Sequence, residues 1–216
     1  MTKEEARQKA AGNFKSGLNC TQSVVSVFAE QLGYDKEQIM SLCEPFGGGM
    51  CRMREVCGTV SGMLMCLGMY NKKAHPVESD PSDKENFSLA KIKAHKDQTY
   101  KDGQALAEKF RQANGSIVCA ELLGLKKRQP DIPVSEARTE EYYKKRPCAE
   151  LCGLAAYIFQ EFLDEQTDST EGQFRNLSLR ELIQRLHRAG LLFPRLLQLP
   201  YHLGPVQGKY LRTSVQ

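Results

Sequence analysis

Residues 46–70 read FGGGMCRMREVCGTVSGMLMCLGMY, a three-glycine turn followed by a run of small, apolar and sulfur-bearing side chains. Gly47, Gly48 and Gly49 lose the most backbone freedom on ordering and disfavour a helix interior, so they predict a turn or a close backbone approach. From Glu55 onward Val56, Val60, Met63, Leu64 and Leu67 recur at three- and four-residue spacing, which predicts a helix with one apolar face turned inward. Gly58, Ser61, Gly62 and Gly68 leave room on it for a neighbouring helix. Three of the chain's eight cysteines, Cys51, Cys57 and Cys66, lie in this stretch. Cys57 falls in the first helical turn, where unpaired N–H groups and the positive end of the dipole favour thiolate over thiol; Arg52 and Arg54 add positive charge. The competing reading is a buried helix in which Cys57 and Cys66 act as small hydrophobes.

Upstream, Thr2 and Glu5 form a capping box that starts a first helix running towards Phe14 and ending at Ser16-Gly17. Asn19 caps a second helix with Cys20 in its first turn, an apolar stripe of Val24, Val25, Phe28 and Leu32, and Gly33 to close it. Asp35 caps a short third helix over residues 36–43, which Pro45 and the glycines break; Cys43 and Cys51 flank that break. Downstream, residues 71–83 contain Pro76 and Pro81 and predict an exposed connection. Residues 84–113 predict a long polar helix with Phe87, Leu89, Ile92, Tyr100, Leu106 and Phe110 on its inward stripe and an interruption at Asp102-Gly103. Asn114-Gly115 is a turn, and SIVCAELLGL after it predicts a short apolar helix that carries Cys119 and ends at Gly124. Residues 126–137, with Pro130 and Pro133, predict a loop. Pro147 then opens a last core helix on which Cys148 and Cys152 lie one turn apart. The expected fold is therefore all-α, a compact bundle of about six or seven helices over residues 1–165 with the CGTVSG helix central.

A chain of 216 residues, 41% hydrophobic and 26% charged, matches one soluble globular domain with an appendage, and it has no apolar run long enough for a transmembrane segment. The N-terminus MTKEEARQKAAGNF lacks the apolar core of a secretory signal, so a cytoplasmic, reducing setting is expected. In that setting eight cysteines predict ligands or redox thiols rather than permanent staples, although no CxxC pair is present. The net charge of +4 belongs wholly to residues 166–216, which carry 7 basic against 3 acidic residues, while residues 1–165 balance at 23 against 23. With no basic stripe in the body, nucleic acid is not an expected partner.

Cys20, Cys57, Cys119 and Cys148 are each placed near the start of a helix with an apolar face, and in a helical bundle such starts can converge. The chain resembles the C-GCAxxG-C-C family of small bacterial and archaeal proteins, whose label is redox activity. The resemblance is carried by GLNCTQSV at residues 17–24, FGGGM at 46–50, VCGTVSGMLMCLG at 56–68, CAELLG at 119–124 and RPCAELCG at 146–153. It covers about residues 4–163. It implies that the four characteristic cysteines are Cys20, Cys57, Cys119 and Cys148, and that the CGAxxG motif is residues 57–62, with Thr59 where alanine is usual. It implies no particular substrate. Residues 166–216 lie outside it; leucine and arginine become abundant there, and an amphipathic basic helix over residues 179–189 is expected to be part of a poorly packed extension.

Two chemistries suit four such thiols. One is a dithiol redox protein, with Cys57 as low-pKa thiolate, Cys20, Cys119 or Cys148 as its resolving partner, and a redox protein or small thiol or disulfide as partner. The other is a four-cysteine module for zinc or an iron–sulfur cluster on Cys20, Cys57, Cys119 and Cys148. A helical adaptor with buried cysteines is a third reading, and an oligomer is compatible with all three. Gly58 and Gly62 are expected to support close packing at the site, Arg52 and Arg54 to assist the thiolate, and Cys51 and Cys152 to intrude on the cluster.

Overall fold

A computed structural model describes residues 1–125 and 132–175, with side chains as far as residue 169. Eight α-helices follow one another among the described residues: α1 (Lys3–Lys15), α2 (Cys20–Phe28), α3 (Lys36–Cys43), α4 (Gly58–Ala74), α5 (Leu89–Asn114), α6 (Cys119–Leu122), α7 (Glu140–Lys145) and α8 (Cys148–Arg175), with a 3-10 turn at Glu44–Phe46. No strand forms among them, and one isolated antiparallel bridge joins Val56 to Val118. The fold is all-α, as the periodicities predict.

Side-chain caps set the starts. Thr2 accepts from the Glu5 amide while the Glu5 carboxylate accepts from the Thr2 amide, and Asn19 and Gln22 repeat that exchange at α2. Asp35, Ser88 and Thr139 cap α3, α5 and α7 through the amides of Gln38, Lys91 and Tyr142. The start of α4 at Gly58 rather than near Glu55, the end of α2, the start of α5 and the helix count differ from expectation. α2 stops at Phe28, and turns carry the chain on to Gly33. α5 begins at Leu89, because Ser88 rather than an earlier residue supplies the cap, and it runs unbroken through Gly103. Of its expected inward stripe only Leu106 and Phe110 are buried, while Leu89 and Tyr100 are exposed and Phe87 and Ile92 half-buried, because the N-terminal half of the helix packs less deeply than its C-terminal half. α7 is an addition to the six or seven helices expected, signalled by Thr139 followed by Glu140 and Glu141.

α4 packs most extensively on α2, and α1, α3 and α5 flank that pair. α8 closes the core: Phe159 meets Phe28 edge-on at 4.9 Å, Phe162 meets Tyr70 at 5.4 Å, and Gly153 lets α8 approach the backbone of α1 so closely that a Cβ would lie 3.0 Å from the Arg7 carbonyl oxygen. Phe14, Phe28, Phe110, Phe159, Met63 and Leu67 are fully buried. The chain divides into two units at Gln166/Thr167. The basic helix expected at residues 179–189 lies outside the described residues, as do residues 126–131 of the expected loop. No described helix is long and apolar enough to cross a membrane.

Candidate functional site

The glycine turn does not lead straight into α4. Gly48, Gly49, Met50, Cys51 and Arg52 all have φ between 48° and 73°, and Arg54 has φ 63°, so the chain makes a left-handed arm that four non-glycine residues share. Each non-glycine there costs about 1–2 kcal/mol. The arm is held by the Cys51 amide donating to the Pro45 carbonyl at 2.6 Å and the Glu55 amide donating to the Gly49 carbonyl at 3.1 Å. Gly49 is required because a Cβ would sit 2.7 Å from Cys119 Cβ.

Beyond the arm the backbone is extended. The Cys57 amide donates to the Ile117 carbonyl at 2.8 Å and the Cys119 amide donates to the Glu55 carbonyl at 2.6 Å, which ties the start of α4 to the start of α6. Cys57 is therefore the residue before α4 rather than a member of its first turn. Thr21 Oγ1 donates to the Gly58 carbonyl at 2.9 Å and ties the start of α2 to the same point. Gly58 and Gly62 make this possible: a Cβ on Gly58 would lie 3.0 Å from Cys20 Cβ, and one on Gly62 would lie 2.9 Å from the Thr21 carbonyl oxygen.

Cys20, Cys119, Cys148 and Cys51 line one cavity of about 360 Å³. Cys20 and Cys148 line it together, near enough that each shifts the ionisation of the other. Cys20 raises the Cys148 thiol, and burial raises it further. Cys148 in turn lowers Cys20, but Cys152 and burial outweigh it, so Cys20 also stands well above the ordinary thiol value. Cys152, fully buried one turn along α8, points its Sγ at the Cys20 carbonyl oxygen at 3.7 Å. Burial raises the Cys119 thiol, opposed by a hydrogen bond from Arg54. Cys51 is exposed.

Cys57 does not line the cavity. It is 4% exposed, its Sγ lies 3.2 Å from Thr59 Oγ1, and burial pushes its thiol up to about 11 despite that hydrogen bond. The expected low-pKa thiol is thus not found at Cys57: the residue sits where desolvation disfavours charge, and Arg54 hydrogen-bonds Cys119 instead. Nor do four helix dipoles converge, because α6 has only four residues. All eight cysteines are free thiols. Cys43 and Cys66 form a separate buried group with Met65, whose Sδ lies 3.5 Å from Cys43 Sγ.

The rim of the cavity is basic. Arg52, Arg54, Arg138 and Arg146 face it against Glu44 and Glu136. Glu136 pairs with Arg52 at 3.3 Å, with Arg54 at 3.9 Å and with Arg146. Burial raises the Glu136 carboxyl, but Arg146 and Arg52 hold it below its ordinary value. Glu136, Arg138 and Tyr142 escaped the sequence reading, since charges in a proline-bearing loop resemble a solvated surface; Arg146, directly ahead of Pro147-Cys148, offered the one local signal. Zinc or a cluster on the four cysteines is not supported by their placement: among the described residues no three His, Cys, Asp or Glu side chains are positioned to hold a metal ion. What the arrangement offers chemically is a pair of neighbouring thiols, open to a cavity with arginines at its edge.

The family model described as "Putative redox-active protein (C_GCAxxG_C_C)" matches residues 18–162. No curated protein and no solved structure matches the chain. The matched residues take in all four of the helix-start cysteines, the glycine arm and the start of α8, and the chain belongs to the C_GCAxxG_C_C family.

Proposed function

We propose that this chain is a dithiol redox protein, working in a reducing cytoplasmic setting, in which Cys20 and Cys148 cycle between two thiols and one disulfide. The observation that carries the reading is that these two thiols line the same cavity, near enough that each shifts the ionisation of the other. Cys20 is the attacking sulfur. It opens a nine-residue helix with a complete capping box, whose N-terminus favours the negative charge that forms once the proton is lost, and it lines the cavity through which a disulfide arrives. Cys20, after losing its proton, attacks a disulfide R–S–S–R′; R–SH leaves with that proton and a mixed disulfide forms. Cys148 then attacks the Cys20 sulfur, its proton goes to the departing R′–SH, and two electrons have passed from the pair to the substrate. Cys119, with Arg54 beside it, is the third thiol at the cavity. Cys57 and Cys152 lie beneath it as positioning residues, with Gly58 and Gly62 permitting their approach and Arg52 at the rim.

Oxidising the reduced protein with limiting diamide and mapping the peptides tests this. A Cys20–Cys148 disulfide is expected, lost in Cys148→Ser and retained in Cys66→Ser. A first disulfide between any other two cysteines, or stoichiometric iron or zinc in anaerobically purified protein, would overturn the assignment.

A further inference from the structure

The cavity presents two thiols of the pair and four guanidinium groups to the same volume. Four arginines against two glutamates leave an excess of two positive charges among the described lining residues. The arginine heads are held in place. Arg138 lies over the rings of Phe14 and Tyr142, 4.5 and 4.8 Å from their centroids, and donates to the Leu18 carbonyl at 3.4 Å. Arg146 lies 4.9 Å over the other side chain it shares with Arg138, Tyr142, and also binds Glu136. Stacked guanidinium groups lose little freedom when they bind an anion, and each has five N–H donors, more than one carboxylate can occupy. Glu136 shows that Arg146, with Arg52 and Arg54, can converge on a carboxylate, and Arg138 shares the Tyr142 ring with Arg146. At about 360 Å³ the cavity exceeds what an inorganic oxyanion fills, and Pro45, Leu123, Pro133 and Tyr142 give it apolar wall for an organic body.

Resting on the thiol-exchange reading, we propose that the natural substrate is a small disulfide whose thiol half carries carboxylates, bound through Arg138 and Arg146 and delivered to Cys20. A ligand carboxylate at Arg138 and Arg146 sits beside Glu136, and the apolar walls take the chain that leads from it to the disulfide. Bond changes are those given above, with the anionic thiol as R–SH.

The test measures the rate at which fully reduced protein is oxidised by glutathione disulfide, which is anionic, bis(2-hydroxyethyl) disulfide, which is neutral, and cystamine, which is cationic. Each rate is divided by the rate at which the same disulfide is reduced by dithiothreitol, which corrects for its intrinsic reactivity. The anionic probe is expected to exceed the neutral one by at least about tenfold and cystamine to be slowest, with the preference shrinking as salt is raised. Arg138→Gln and Arg146→Gln should each cut the glutathione disulfide rate several-fold while leaving the neutral probe within about twofold. Equal normalised rates for all three probes, or arginine variants that slow all three alike, would overturn the substrate assignment and leave the thiol pair standing. If no probe oxidises Cys20 and Cys148 although dithiothreitol reacts normally, the redox reading itself falls and takes this inference with it.

Discussion

The thiol of Cys57 binds Thr59 and is almost wholly buried, so its proton is part of what holds the native state together. Its value of about 11 stands above the ordinary 9.0 expected in the unfolded chain. Between those two values the native state binds the proton more tightly, so the contribution is complete below pH 9 and is lost as pH rises towards 11. On the order of 2 kcal/mol is at stake. Thermal melts under reductant should therefore fall across pH 9–11, and Cys57→Ala, though less stable at neutral pH, should fall less steeply over that interval. Exposure decides reactivity in the opposite way at Cys51, the exposed cysteine of the arm. Iodoacetamide at neutral pH should label Cys51 first, and Cys51→Ser should abolish that fast phase; rapid labelling surviving the substitution would show that a buried thiol opens readily. At this scale the sequence told where the cysteines begin helices but not what surrounds them. Burial of Cys57 depends on the closure of α2 and α6 over it, and Arg138 and Glu136 reach the cavity from a segment whose charges carry no periodic mark.

Helix elements were legible wherever a side-chain cap and an apolar stripe coincided, as at α1, α2 and α3. They were misplaced where tertiary partners set the boundary. The start of α4 shifts to Gly58 because Val56 is taken up in the bridge to Val118, a partner 62 positions away that no local pattern announces. The crossing of α2 and α4 depends on glycine in a way that can be measured. Gly62→Ala would push a methyl against the Thr21 carbonyl at 2.9 Å and should cost about 1–3 kcal/mol in denaturant unfolding. Gly68→Ala, on the same helix with nothing within 4 Å, should instead stabilise by roughly 0.5–1 kcal/mol. Equal effects at the two positions would mean that the helices are not in backbone contact at Gly62. Thr21→Val, which removes the hydrogen bond to the Gly58 carbonyl while keeping the volume, should cost about 1–3 kcal/mol and loosen Cys20, read as faster labelling of that thiol.

For the molecule as a whole, every described core residue lies between Ala6 and Leu163. We propose on that basis that residues 1–165 are the cysteine-rich redox domain and that residues 166–216 are an extension of separate role. A chain ending at Arg175, which keeps α8 intact, is then expected to melt within a few degrees of the full chain; a drop of ten degrees would place the extension in the domain's own core. The bridge between Val56 and Val118 has a further consequence in time. It closes a loop of roughly sixty residues, and such closures are reached only after local helices have formed, which takes microseconds. A chain emerging from denaturant therefore passes through a stage in which helices exist but the thiols are still open to one another. Eight thiols can pair completely in on the order of a hundred ways, so oxygen admitted during that stage would lock in the wrong partners. Refolding yield should accordingly depend on the moment at which reductant is withdrawn, and be highest when it is removed only after the loop has closed.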